Sequence, residues 1–303
     1  MDAIVTVPPY APFIREIAKH PIVSGIRLNT VMPIKEPVPD LLRRLKEEAR
    51  GKDVWVDLKG RQLRIATHGV PPFTEIKLTH RIEVQTPVRA YFSGGREVAT
   101  VVGVDGDRLI MQDGPKRVVG PGEAVNIPDE SLRIEGYLTD TDRAYLEAAA
   151  AVGNPHVMLS FVEGKQDIAQ ARAIYPDAII AAKIESRRGL VYARESWDPK
   201  GAQRLMAARG DLYLEVKRPH EIVGALEDIV GKDPRAIVAS RLFSSLAQGY
   251  MPEAADIGDA DSLMRMGYTT FMLGDEVCLQ RDSALSALNL LDAMTTEYGR
   301  RHT

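Results

Sequence analysis

The chain has 303 residues, 45% hydrophobic and 27% charged, enough to bury a large core as one α/β barrel or as two domains. A formal net charge of -3 gives no basic field for nucleic acid, and Cys278, the only cysteine, excludes an internal disulfide. No apolar run approaches about twenty residues and no charged-then-apolar leader is present, so a soluble, cytoplasmic protein without a membrane partner is expected.

Taken in chain order, short β-branched runs predict strands over 3–7, 22–28 and 54–57, with a helix over 40–48. From about 66 to 124 the pattern changes. Gly94-Gly95, Asp105-Gly106-Asp107 and Asp113-Gly114 separate short strands over 88–92, 98–104 and 109–111. This predicts a small β-domain over 66–124, inserted after the third strand of a barrel made from 1–65 and 125–303. There it would project over the barrel mouth as a lid. Asp105-Gly106-Asp107 lacks the downstream ligands of a calcium loop and reads as a hairpin turn.

Beyond the insertion, strands over 156–161, 178–184, 212–216, 236–240 and 269–273 alternate with helices over 142–151, 168–174, 219–229, 259–266 and 283–298. Eight strand-then-helix units predict a (β/α)₈ TIM barrel, whose active site gathers at the carboxyl ends of the strands. The six histidines lack ligand spacing, which argues against zinc, and Cys278 reads as a buried structural thiol.

At the end of one apolar run lies Lys183-Ile184-Glu185, followed later by Ala208-Arg209-Gly210-Asp211-Leu212. Strand side chains alternate with a period of two, so Lys183 and Glu185 share the open end of the barrel while Ile184 packs into the other face. A lysine with two carboxylates is the layout of a divalent-metal site with a cationic partner. On its own, Lys-x-Glu also fits a solvated, charge-balanced strand edge.

The ordered motifs resemble the pyruvate kinase family. Gly25-Ile26-Arg27-Leu28-Asn29 is similar to the family's Arg-x-Asn segment, and Asp57-Leu58-Lys59-Gly60-Arg61-Gln62-Leu63-Arg64 to its Asp-Thr-Lys-Gly-Pro-Glu-Ile-Arg. Gly122 to Pro128 resembles the return from the inserted domain, Leu138-Thr139-Asp140-Thr141-Asp142 the next helix start, and Ser160-Phe161-Val162 the following strand. Lys183-Ile184-Glu185 and Ala208 to Leu212 fall on the catalytic lysine and metal-carboxylate motifs. Ala239-Ser240, Pro252, Ala255, Asp256 and Met272-Leu273 match the last two strands.

The resemblance implies a barrel that binds phosphoenolpyruvate, pyruvate or a related 2-oxo acid, with ADP or ATP as partner. It implies that Glu185 and Asp211 hold Mg²⁺ or Mn²⁺, and that Lys183 lies by the transferring phosphoryl group and the enolate oxygen. Arg27 and Arg64 match phosphate-contacting arginines. Ser240 replaces a threonine near the substrate carboxylate and the protonation site, and the Gly210 and Asp211 amides receive that carboxylate. Asn29 and Asp57 match monovalent-cation ligands.

Departures matter as well. Thr30-Val31-Met32-Pro33 replaces Phe-Ser-His-Gly and Leu58 replaces a threonine, which puts a potassium requirement in doubt. The chain stops after the eighth unit, so the family's C-terminal regulatory domain and its allosteric control are expected to be absent. A homo-oligomer is expected. A second class stays open, a nucleotide-independent, Mg²⁺-dependent aldolase or decarboxylase acting on a 2-oxo acid. So do a Schiff-base aldolase using Lys183 and a binding barrel without turnover. Phosphoryl transfer is preferred because Arg27, Arg64 and Lys183 form a phosphate-shaped set that an aldolase would not all require.

Overall fold

The computed structural model describes residues 1–71 and 75–302. The chain opens with β1 (Asp2–Thr6), α1 (Ile14–Ile17), β2 (Val23–Asn29), α2 (Val38–Glu48) and β3 (Asp53–Leu58). Short strands follow: β4 (Glu75–Lys77), β5 (Ile82–Glu83), β6 (Val88–Phe92), β7 (Glu97–Asp105), β8 (Arg108–Met111), β9 (Val125–Asn126) and β10 (Arg133–Ile134). The alternation then resumes with α3 (Asp140–Ala151), β11 (His156–Leu159), α4 (Lys165–Ile174), β12 (Ile179–Ile184), α5 (Arg187–Glu195) and β13 (Gln203–Ala208). It ends with α6 (Arg209–Glu215), α7 (Glu221–Lys232), β14 (Ile237–Ala239), α8 (Ala254–Met266), β15 (Thr270–Leu273), α9 (Asp275–Cys278) and α10 (Arg281–His302).

Among the described residues, eight parallel strands close a barrel in the order β1-β15-β14-β13-β12-β11-β3-β2. One predicted strand is corrected. Residues 212–215 end α6 and Val216 is its C-cap, while the strand between β12 and β14 is β13. The Arg, Leu, Met and Ala of β13 favour a helix, but pairing on both sides within a parallel sheet overrides that preference. Helix α5 has no counterpart among the predicted helices, although Ser186 caps it by accepting from Gly189 N–H. No helix among the described residues is long and apolar enough to cross a membrane.

Alternation divides the barrel residues between two cores. In β12, Ile180, Ala182 and Ile184 pack outward against the helices and Ala181 faces the axis; in β3, Val54, Val56 and Leu58 pack outward and Trp55 inward. Trp55 fills the barrel interior beside Ile4, Met158, Met206, Ile237 and Met272, with room left by Ala181, Ala208 and Ala239. Burying such a ring contributes about 2–3 kcal/mol. Gly25 makes the fit possible, because a Cβ there would lie 2.9 Å from Trp55 Cδ1. Continuing the inward rows toward the carboxyl ends brings Arg27 and Asn29, Asp57 and Lys59, Ser160, and Lys183 and Glu185 to one mouth.

The short strands form an antiparallel sheet in the order β4-β8-β7-β6-β9, with β5 and β10 paired beside it. Asp105-Gly106-Asp107 is the β7–β8 hairpin turn. The apolar cluster of this sheet includes Leu63, Ile65, Val125 and Ile127, so both connecting passes contribute to it as well as residues 66–124.

Candidate active site

Asp57 anchors the mouth. Its side chain is 0% exposed, and Oδ2 accepts from Arg27 Nη2 at 2.5 Å, Arg27 Nε at 3.0 Å and Lys59 Nζ at 2.8 Å. Oδ1 accepts from Lys183 Nζ at 3.2 Å. Burial opposes the charged form of Asp57, but Arg27, Lys183 and Lys59 outweigh it and hold the carboxyl well below its usual range. Lys59 pays the opposite penalty. Burial lowers its ammonium to about 7, against the pull of Asp57 and with smaller help from Arg64, Arg27 and Lys183.

The turn that carries Lys59 is fixed from the next barrel unit. Asp142 accepts from the Lys59 N–H at 2.8 Å and the Gly60 N–H at 3.0 Å, and closes a capping box with Thr139 at the start of α3.

Lys183 and Glu185 lie side by side, with Nζ 3.2 Å from Glu185 Oε1 and 2.7 Å from Ser160 Oγ. Burial works against the charged lysine, yet Asp57 and Glu185 raise its pKa above the usual value. Glu185 is raised too, by burial first and by Asp211, against the pull of Lys183. Glu185 Oε2 accepts from the Phe161 N–H at 2.8 Å. Both oxygens of Asp211, in the first turn of α6, accept side-chain amides: Gln62 Nε2 and Asn126 Nδ2, each at 2.9 Å.

The remaining named residues line the same cleft of about 870 Å³: Arg27, Asn29, Arg64, Gly210 and Ser240 join Lys59, Lys183, Glu185 and Asp211 there. Ser240 follows β14 at a φ of 70°, and its carbonyl accepts from Arg209 Nε and Nη2 at 3.1 and 2.8 Å. A Cβ on Gly210 would lie 3.5 Å from Ser240 Oγ, so these two neighbours meet at the rim. Arg64 donates to Gln62 Oε1 and to the carbonyl of Gly122.

Sequence reading assigned no role to Lys59, Gln62, Asn126, Ser160 or Asp275. Lys59 lies two positions beyond Asp57 on the same inward row and Ser160 two beyond Met158, a periodicity that could have found them. Asp275 follows β15 and accepts from Asn29 Nδ2 and Arg27 Nη1. Gln62, Asn126 and Asp275 sit outside any period, and only the folded chain brings them in.

Comparison with known proteins bears on the family of the barrel. The family described as "Pyruvate kinase, barrel domain" matches residues 76–279. The chain belongs to the pyruvate kinase family. It is 26% identical over 289 residues to pyruvate kinase of Thermoplasma acidophilum, covering 86% of this chain and 52% of that protein. It is 28% identical over 289 residues to pyruvate kinase of Methylorubrum extorquens, covering 85% and 59% respectively. Pyruvate kinase II of Salmonella typhimurium is 26% identical over 259 residues, 73% of this chain and 52% of that protein. The chain thus spans about half the length of these pyruvate kinases.

The two cations implied by the family fit the mouth differently. Glu185 and Asp211 offer hard carboxylate oxygens on neighbouring barrel units in one cleft, and Asp211 already disfavours the charge on Glu185, a repulsion that a divalent cation would relieve. Among the described residues no third acidic, histidine or cysteine side chain completes a metal cluster, so substrate and water oxygens would complete the shell, as Mg²⁺ commonly requires. A monovalent cation does not fit Asn29 and Asp57. Both Asp57 oxygens hold protein cations, its carbonyl accepts from Thr30 Oγ1 at 2.8 Å, and Asn29 Oδ1 accepts from the Val31 N–H at 3.4 Å.

Proposed function

We propose that this barrel transfers a phosphoryl group between phosphoenolpyruvate and a nucleoside diphosphate, releasing pyruvate. The observation that carries the reading is the convergence of Lys183, Glu185 and Asp211 with Arg27 and Arg64 in one cleft of a pyruvate kinase family barrel. In the forward direction the bond from phosphorus to the enol oxygen breaks and one to a terminal oxygen of the diphosphate forms. The electron pair stays on the enol oxygen, and the adjacent methylene carbon then takes a proton.

Lys183 is suited to the charge that develops. Asp57 and Glu185 keep it protonated, and hydrogen bonds to Asp57 and Ser160 hold it in place, so it is preorganised rather than recruited during reaction. Arg27 and Arg64 would receive phosphate oxygens, and the main-chain amides of Gly210 and Asp211 the substrate carboxylate. Ser240 stands beside Gly210 and is assigned to the protonation step. Glu185 and Asp211 would hold Mg²⁺ or Mn²⁺, which when bound supplies positive charge for the enolate and phosphate oxygens.

The test is pyruvate formation from phosphoenolpyruvate, ADP and Mg²⁺, measured through coupled NADH oxidation. Lys183→Met should lower turnover about a hundred- to a thousandfold, in line with loss of a preorganised charge at the reacting oxygen. If no nucleoside diphosphate supports pyruvate formation by the natural chain, the proposal fails.

A further inference from the structure

Arg27 meets the cleft with four of its five N–H donors in hydrogen bonds, both of those on Nη1 included. Nε and Nη2 donate to Asp57 Oδ2, and Nη1 donates to Thr6 Oγ1 at 2.9 Å and to Asp275 Oδ2 at 3.2 Å. The two carboxylates are not equivalent partners. Asp57 is 0% exposed and also binds Lys59 and Lys183, so it cannot leave; the Asp275 side chain is 38% exposed, on the first residue of α9 at the rim. Asn29 Nδ2 steadies Asp275 at 3.1 Å from both oxygens. The neighbouring acid, Glu276, turns instead toward Arg96 at 3.7 Å.

We infer that Asp275 is a resident anion on Arg27, occupying the guanidinium edge that an incoming phosphoryl group needs, and so sets the anion affinity of the cleft. This rests on the assignment of Arg27 to phosphate. In the empty cleft Asp275 completes the counter-charge of a buried guanidinium that would otherwise lie partly uncompensated. A phosphate dianion brings more charge and three acceptor oxygens to the same edge, so it can displace a single carboxylate that turns out to solvent. Each binding event then exchanges one ion pair for another, and the net gain is smaller than a free arginine would give.

The experiment titrates inorganic phosphate into the full chain by calorimetry, without metal or nucleotide, and compares it with Asp275→Asn. Asparagine keeps the shape and one of the two hydrogen bonds from Asn29 but removes the charge. Phosphate should bind about tenfold more tightly to Asp275→Asn, the scale of one charge-assisted hydrogen bond released for the ligand. Asp275→Ser should shift affinity the same way, which guards against a local effect of the amide. Adding Arg27→Lys to Asp275→Asn should abolish the gain. Equal or weaker binding in both Asp275 variants, a gain that survives Arg27→Lys, or no phosphate binding to any form overturns the inference. Pyruvate formation is read separately: its absence from the natural chain and the variants would remove the phosphotransfer reading while leaving the affinity difference intact.

Discussion

At the residue scale, the mouth is organised by three cations sharing the buried carboxylate of Asp57, and Lys59 is the member held least firmly in its charged form. Its folded value of about 7 lies below that of an unfolded lysine. Between these values the unfolded chain binds a proton that the native one does not, so Lys59 makes stability rise with pH across that window; below about 7 its penalty is complete. Anion binding follows the opposite sense, because a ligand anion favours the protonated form. Sulfate keeps its charge in this range, and its affinity should fall as pH rises through about 7, by up to about tenfold per pH unit. Calorimetric titration from pH 6 to about 9 measures this, and Lys59→Arg, which stays charged, should flatten the step. A flat profile in the natural lysine form would remove Lys59 from the anion site. Lys183 and Glu185 were legible beforehand because both lie on one inward row. The contact of Asp275 with Arg27 was not, since 248 positions separate the two and only closure of β15 onto β1 brings them together.

At the scale of elements, seven of the eight barrel strands could be read from apolar runs, whereas β13 could not. Its Leu205-Met206-Ala207-Ala208 lacks β-branched residues, and the alternating Leu212-Tyr213-Leu214 nearby carried a stronger strand signal. What selects β13 is the barrel itself: Met206 and Ala208 belong to the interior cluster that holds Trp55, a demand set by other strands and invisible in a local window. The turn after β3 depends on a different local constraint. Gly60 has a φ of 50°, and a Cβ there would lie 2.7 Å from the Ser160 carbonyl and 2.8 Å from Tyr137 Cε2. Gly136 also has a positive φ, 78°, but nothing within 4 Å. Gly60→Ala should therefore cost about 2–4 kcal/mol, and Gly136→Ala only about 1 kcal/mol, from denaturant midpoints of the two variants. Equal losses would show that backbone strain alone decides, and that the packing of the β3 turn against β11 contributes nothing.

At the scale of the whole molecule, the contacts between the barrel and the β-sheet include one carboxylate of the cleft, besides the Arg96–Glu276 pair. Gln62 lies on the pass that leaves the barrel after β3, Asn126 on the strand that returns, and their amides clamp the two oxygens of Asp211 on α6. Arg64 ties the passes together through the Gly122 carbonyl, and Arg64 pairs with Ala124 as an isolated bridge. The tip of the sheet rests on the same helix: a Cβ on Gly95 would lie 2.5 Å from Leu214 Cδ2. The placement of the sheet and the orientation of a proposed metal-binding carboxylate are thus coupled through these two amides. Removing both amides in Gln62→Ala with Asn126→Ala leaves Asp211 without those donors and the passes without their anchor. Hydrogen bonds to a charged group contribute about 1.5–3 kcal/mol each, part of which water recovers at this cleft, so local opening should become easier by about 2 kcal/mol. Amides of β6, β7 and β8 should then exchange about thirtyfold faster, while those of β11 and β12 keep their rates, as read by hydrogen exchange with mass spectrometry. Uniform acceleration would mean that the two side chains stabilise the chain globally, and unchanged rates in the sheet would mean that its position is set without Asp211.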